Sequence, residues 1–376
     1  MKKIAVAFFP LLLAGFFLPE TGNHSVTTTS MISTTPYDGP YVLYKNEQVF
    51  IKIVFDDGGA KSVTIDSVNI SQKATILLTV STDEPGKTFA VRLKSQLQNE
   101  KSEYKKVNKQ AIISDIEGNF GAFRKLLQNA GVIDANYNWT FGDGHLVLTG
   151  DFFDRGDQVT EVLWLIYSLE DKAKAAGGYV HFVLGNHEIM NMSGDIRYLH
   201  PKYLQDAALL NENYVSSLYG ENSELGRWLR TKNIVEKVGS ILFMHGGISA
   251  EMNFIDISLN KINELARPYY SDTTYQYTDP KTEIIYSDWG PFWYRGYYQG
   301  KTIATIGQID STLQKYNVKK IASGHTVISE TISVLHNGKL INTDVHHAKG
   351  HSEALLVEGG KYYRITIHGE KILMME

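Results

Sequence analysis

Leu146-Val147-Leu148-Thr149-Gly150-Asp151-Phe152-Phe153-Asp154-Arg155-Gly156-Asp157 is an apolar run of strand type that ends at a glycine and delivers an aspartate into the turn beyond it. A parallel sheet presents reactive groups at that position, just past the carboxyl end of a strand. The same design stands upstream in Ala111-Ile112-Ile113-Ser114-Asp115-Ile116-Glu117-Gly118-Asn119. It recurs downstream in Val180-His181-Phe182-Val183-Leu184-Gly185-Asn186-His187-Glu188. Between these runs, Phe120 to Ala130 and Val159 to Ala176 carry apolar residues at helical spacing, and Gly131 closes the first of them. The alternation predicts three parallel strands joined by helical crossovers, with their polar ends gathered on one edge of one sheet.

Outward from this unit, Tyr37 to about Arg92 is strand-like. Tyr41–Tyr44, Val49–Phe55, Val63–Ile65, Ile76–Val80 and Thr88–Leu93 are rich in β-branched and aromatic residues, and Asp56-Asp57-Gly58-Gly59 is a hairpin turn. No catalytic constellation lies there, so a structural extension is expected, with a substrate or partner platform as the alternative. Gln96 to Lys109 is polar and reads as a connector. On the other side, Ile196 to about Lys237 has a mainly helical pattern. Ser240–Met244 is a buried strand that sets down His245, and Ile321–Ser323 one that sets down His325. Leu340–Thr343, Glu353–Val357 and Tyr362–Ile367 read as closing strands.

A chain of 376 residues, 43% hydrophobic, suits one large domain plus something smaller. The net charge of -4 does not suggest a nucleic-acid partner. Cysteine is absent, which excludes disulfides, thiolate metal sites and a cysteine nucleophile. Met1-Lys2-Lys3 followed by an apolar run to Leu18 reads as a secretory signal over residues 1–22. It is short for a spanning helix and interrupted by Pro10. A Ser/Thr-rich, disordered lead-in (23–36) then precedes the β-rich region (37–105) and a larger α/β domain (106–376). The leader implies a periplasmic or secreted protein with no stable membrane insertion after cleavage.

Gly150-Asp151 to Asp154-Arg155-Gly156, Gly185-Asn186-His187-Glu188, His245-Gly246-Gly247 and Gly324-His325-Thr326, in that order, resemble the calcineurin-like metallophosphoesterases, specifically their phosphoprotein phosphatase branch. The likeness covers about residues 109–370. Within that branch Gly194–Tyr198, Glu224–Arg230 and Trp289–Gly296 resemble the Shewanella-like phosphatases, a group that includes a protein-tyrosine phosphatase. The resemblance implies an α/β fold, a four-layer αββα sandwich here carrying a small N-terminal β extension. It also implies two divalent metal ions, manganese first among zinc, iron, magnesium and calcium. One ion would be held by Asp115, Glu117 and Asp151. The other would be held by Asp151, Asn186, His245 and His325, with an attacking hydroxide between the two. His187, oriented by Asp154, would be the general acid, and Arg155 and Arg295 the clamp on the phosphate oxygens.

Glu117 departs from the family, which usually has histidine two residues after the first aspartate. An oxygen donor there would favour harder metals, and the other reading places it outside the ligands, on a metal-bound water. The absence of a second histidine two residues after His325 favours the phosphatase branch over the diesterases. Asp344, His346 and His347 lie just past a late strand and read as loop residues near the site. Tyr269, Tyr270, Tyr275, Tyr277, Trp289, Phe292, Trp293, Tyr294, Tyr297 and Tyr298 form either an aromatic wall for a phosphotyrosine ring or a hydrophobic cluster under a long connection. The expected activity is an exported phosphomonoesterase acting on a phosphoprotein or phosphopeptide. The alternatives are a dinucleoside-polyphosphate or other small phosphoester hydrolase and a non-catalytic phosphate-binding module.

Overall fold

The computed structural model describes residues 36–274, 276–301 and 303–376. The expected leader and nearly all of the lead-in, with Tyr275, lie outside the described residues. The chain opens with an antiparallel meander, β1 (Pro36–Lys45), β2 (Gln48–Asp57) and β3 (Ala60–Asn69), followed by a two-stranded ribbon, β4 (Leu77–Ser81) and β5 (Thr88–Arg92). Gly58 and Gly59 both adopt positive φ in the β2–β3 turn, and Asp56 Oδ1 accepts from the Gly59 N–H. That is the conformation in which glycine is favoured.

The larger unit follows. β6 (Glu103–Tyr104) and β7 (Lys109–Ile113) lead to α1 (Phe120–Asn129), β8 (His145–Leu148), α2 (Val159–Ala175), β9 (Tyr179–Phe182) and α3 (Asn186–Ser193). Then come α4 (Pro201–Leu209), α5 (Glu224–Leu229), β10 (Val235–Val238) and β11 (Ile241–Met244). The region from Ile196 is therefore helical to Leu229 but ends in a strand, where the sequence pattern had extended helix to Lys237. β12 (Lys320–Ser323), β13 (Ser333–Leu335), β14 (Leu340–Asn342), β15 (Glu353–Glu358), β16 (Lys361–Thr366) and β17 (Lys371–Met375) complete it.

Two mixed six-stranded sheets result, in the orders β17-β16-β15-β7-β8-β9 and β13-β14-β12-β11-β10-β6. β7, β8 and β9 are parallel neighbours, as their shared design predicts. β6 pairs with β10, so the second sheet begins at Glu103. The alternation of side chains along each strand separates two cores. Ile112 of β7, Val147 of β8 and Phe243 of β11 pack between the sheets. Ile113, Leu148 and Met244, one residue on, face the outer core, which holds helix residues such as Phe123 and Trp164. This is the αββα sandwich, and all of these strands are apolar on both faces because both are covered. The N-terminal strands lie on α2, where the Trp164 indole N–H donates to Pro40 O (2.8 Å).

Candidate active site

Both sheets deliver their polar ends to one place. Asp115 follows β7 and Asp151 follows β8. Asn186 and His187 form the first turn of α3 after β9, His245 follows β11, and His325 follows β12. The turns are sharp: Asp115, Glu117, Asp151, Asp154, Arg155 and His325 all have φ between +50° and +69°. Such backbone is uncommon for non-glycine residues and costs on the order of 1–3 kcal/mol each, so surrounding contacts must hold it. Glu188 is one of them. Its fully buried carboxylate accepts from the N–H groups of Asp151 (2.9 Å), Phe152 (2.7 Å) and Gly185 (2.6 Å), tying two ligand-bearing loops together. Gly185 and Gly324 permit the convergence, since a Cβ on either would lie 2.2 Å from the carboxylate of Asp151 or Asp115 respectively.

His245 shows what the centre is built for. Its Nδ1 lies 2.8 Å from Thr149 O, which fixes the ring proton on that nitrogen. Its Nε2 then faces Asp151 Oδ2 (3.0 Å), Asn186 Oδ1 (3.0 Å) and His325 Nδ1 (3.1 Å). Donor atoms of Asp151, His245 and His325 lie within 4.8 Å of one another. Such a gathering of lone pairs needs a positive charge at its middle. Burial opposes protonation of His245, but Asp151 and Asp115 outweigh it and raise its pKa to about 9. Burial lifts Asp115 to about 6, with Asp151 adding to the effect. The mixed N/O donor set fits a divalent cation of the manganese, iron or zinc type. Because cation and proton compete for the same atoms, cation affinity is expected to fall as pH drops. One proton is displaced from His245 across roughly pH 6 to 9, and a second from Asp115 toward the lower end. Calorimetric titration with Mn²⁺ at several pH values checks this; an affinity indifferent to pH would rule these atoms out.

His187 stands beside the ligands. Its Nδ1 donates to Asp154 Oδ2 (2.5 Å), its backbone N–H donates to Asp151 Oδ1 (2.9 Å), and its Nε2 is 3.7 Å from Asp151 Oδ2. Burial pulls its pKa down, but Asp151 and Asp154 reverse that and hold it above the ordinary histidine value. An imidazolium so placed can give up its Nε2 proton.

The Glu117 carboxylate, expected as a ligand of the first ion, is paired with the Arg155 guanidinium. Arg295 donates to His325 O and to Thr326 Oγ1 (3.2 Å). Glu117, Arg155 and Arg295 nonetheless line one cleft of about 450 Å³ with Asp115, Asp151, His187 and His325. Asp344, His346 and His347 line it too, and Asp344 is buried.

The aromatic-rich segment forms a hydrophobic cluster rather than a wall. Tyr270, Phe292, Tyr294 and Tyr297 are buried, Tyr277 stacks on Tyr286, and no aromatic residue lines the cleft among those described. Among the described aromatics of this segment, Trp293 reaches the centre, with its carbonyl 3.1 Å from His325 Nε2 and its ring edge-on to the imidazole. The exposed aromatic at the site is Tyr198, whose ring lies 5.3 Å from both the His187 ring and the Arg155 guanidinium. Sequence reading singled it out only as part of a motif.

The family model for calcineurin-like phosphoesterases matches residues 109–329. The chain belongs to this family. That places it among hydrolases of phosphate esters. The cold-active protein-tyrosine phosphatase of a psychrophilic Shewanella superposes with a TM-score of 0.79 at 35% identity, over 91% of this chain and 100% of that one. Shewanella-like protein phosphatase 2 of Arabidopsis thaliana is 26% identical over 307 residues, 69% of this chain and 76% of that protein. An uncharacterized protein of Schizosaccharomyces pombe is 32% identical over 221 residues, 57% of this chain; the chain spans 65% of its length, just under two thirds.

Proposed function

We propose that this chain is an exported, divalent-metal-dependent phosphomonoesterase that acts on phosphoproteins. The reading is carried by one observation, the gathering of Asp151, His245 and His325 donor atoms within 4.8 Å, with His187 Nε2 of the His187–Asp154 pair 3.7 Å from Asp151 Oδ2. Asp115, Glu117, Asp151, Asn186, His245 and His325 would hold two cations. Bound cations supply an activated water and neutralise charge on the phosphoryl oxygens. The chain's own residues do the rest. Arg155 and Arg295 orient the phosphoryl group in the cleft. As water oxygen bonds to phosphorus and the ester P–O bond breaks, His187 Nε2 transfers its proton to the leaving oxygen, and Asp154 steadies the ring at Nδ1. The products are inorganic phosphate and the free hydroxyl. Export rests on the leader reading alone.

Likeness to the Shewanella enzyme favours phosphotyrosine, and Tyr198 gives that preference a physical basis, since it offers a ring face beside the general acid. Tyr198→Ala is expected to raise KM for a phosphotyrosine peptide by roughly 3- to 10-fold, the worth of one aromatic contact, and to leave a phosphoserine peptide much less affected. Equal changes for both would deny the ring a role in selection. The competing reading, hydrolysis of dinucleoside polyphosphates, draws on a 30% identity to the symmetrical bis(5'-nucleosyl)-tetraphosphatase of Buchnera aphidicola over 155 residues, 40% of this chain. Parallel assays on phosphopeptides and diadenosine tetraphosphate decide between them. Turnover should vanish on chelation and return with a single added metal; no turnover of any phosphoester with any divalent ion would leave only phosphate binding.

A further inference from the structure

Asp154 has two carboxylate oxygens, and His187 uses one. The other, Oδ1, accepts from Asn191 Nδ2 (2.8 Å), and the same amide nitrogen donates to the His187 carbonyl (2.8 Å). Asn191 Oδ1 accepts from the Tyr214 hydroxyl (2.8 Å). All four residues are buried, Asn191 completely. The orientation of the amide follows from its neighbours. Turning it over would set Oδ1 against two acceptors, Asp154 Oδ1 and His187 O, so the NH₂ must face them and the oxygen must face Tyr214.

Tyr214 is held in turn. It begins a wide π-type turn, Tyr214–Leu218, whose entry is capped by Asn213 through the Ser216 N–H (2.8 Å). Its ring packs edge-on to Tyr219 (5.2 Å) and against Tyr203 (6.1 Å). Wide turns of this kind often stand at functional sites. Nothing in the chemistry assigned above uses Asn191 or Tyr214. Asn191 fills the remaining hydrogen-bond capacity of the Asp154 carboxylate, and Tyr214 holds the amide that does so, so the carboxylate keeps one rotamer.

We propose that Asn191 and Tyr214 are positioning residues for proton donation: they fix the Asp154 carboxylate so that His187 Nε2 stays aimed at the leaving oxygen. Neither touches the substrate. This rests on the general-acid reading of His187 and adds two residues to it. With Asn191 removed, Asp154 Oδ1 is a buried acceptor without a donor, and the carboxylate turns to find one.

The test compares kcat for phenyl phosphate, whose leaving group needs a proton, with kcat for 2,4-dinitrophenyl phosphate, whose leaving group does not. Asn191→Ala is expected to cost about 10- to 10²-fold more on the phenyl ester than on the dinitrophenyl ester. Tyr214→Phe, which keeps the ring and the fold, should show the same selectivity at roughly a third to a tenth of that size. KM for the phenyl ester should move little in either variant, and Asn191→Gln should not rescue, because its longer side chain misplaces the amide. In a His187→Asn background, neither substitution should add to the loss on the phenyl ester, as groups acting through one residue are not additive. Equal losses on both esters, or additive losses in that background, overturn the positioning role while leaving His187 as the acid. An unselective His187→Asn overturns the acid assignment, and the positioning role falls with it.

Discussion

Asp151→Asn is expected to lower kcat/KM by on the order of 10³-fold or more and to abolish tight binding of a second cation, with the fold retained. Loss of a residue that merely supports a metal ligand costs about 10- to 100-fold. Asp151 does more, because its Oδ2 is the atom toward which His245 Nε2 is turned, and His187 Nε2 lies 3.7 Å away on the other side. Burial alone would favour the neutral acid, but His245 and His187 outweigh it and hold Asp151 well below the usual carboxylate range. The amide keeps an oxygen for the His187 N–H and leaves the Glu188 bonds to the loop untouched, so the scaffold should survive. Metal stoichiometry by calorimetry, with circular dichroism for the fold, checks both halves. A variant that still binds two ions with unchanged activity would remove Asp151 from the centre.

His187→Asn is expected to depress hydrolysis of poor leaving groups by about 10²-fold or more relative to good ones, while cation binding persists. The reason is spatial. Nδ1 is committed to Asp154, so the proton available to an incoming ester is at Nε2, and an asparagine at this position carries no ionisable proton. The backbone N–H that braces Asp151 is retained, which separates loss of the acid from loss of the metal centre. Rates on a series of aryl phosphates of graded leaving-group acidity give the answer as a slope. An unchanged slope would assign the histidine to binding alone.

These two residues were legible in the sequence because each stands at the end of an apolar run, and the run's length and period reveal where the strand stops. Glu188 was visible beside them, but its role was not: a buried glutamate that ties two loops by their N–H groups looks, in one dimension, like any acid after a histidine. Asn191 and Tyr214 gave no signal at all. They are separated by α4, and only the return of the chain brings the hydroxyl to the amide. The aromatic segment left two readings open. Density of rings does not say which way they face, and Tyr270, Phe292, Tyr294 and Tyr297 turn into the outer core.

By itself, the amino-acid order determined the layers, because hydrophobic period and strand length are local properties that survive any folding context. Through the resemblance its glycine-bounded turns carry, it also pointed to the candidate ligands, since acids, amides and histidines in that order are rare combinations. Only the tertiary structure decided how Glu117 pairs, which aromatic stands beside His187 and Arg155 and what steadies Asp154. Those are matters of direction and distance between residues far apart in the chain, and side-chain direction is set by packing rather than by composition.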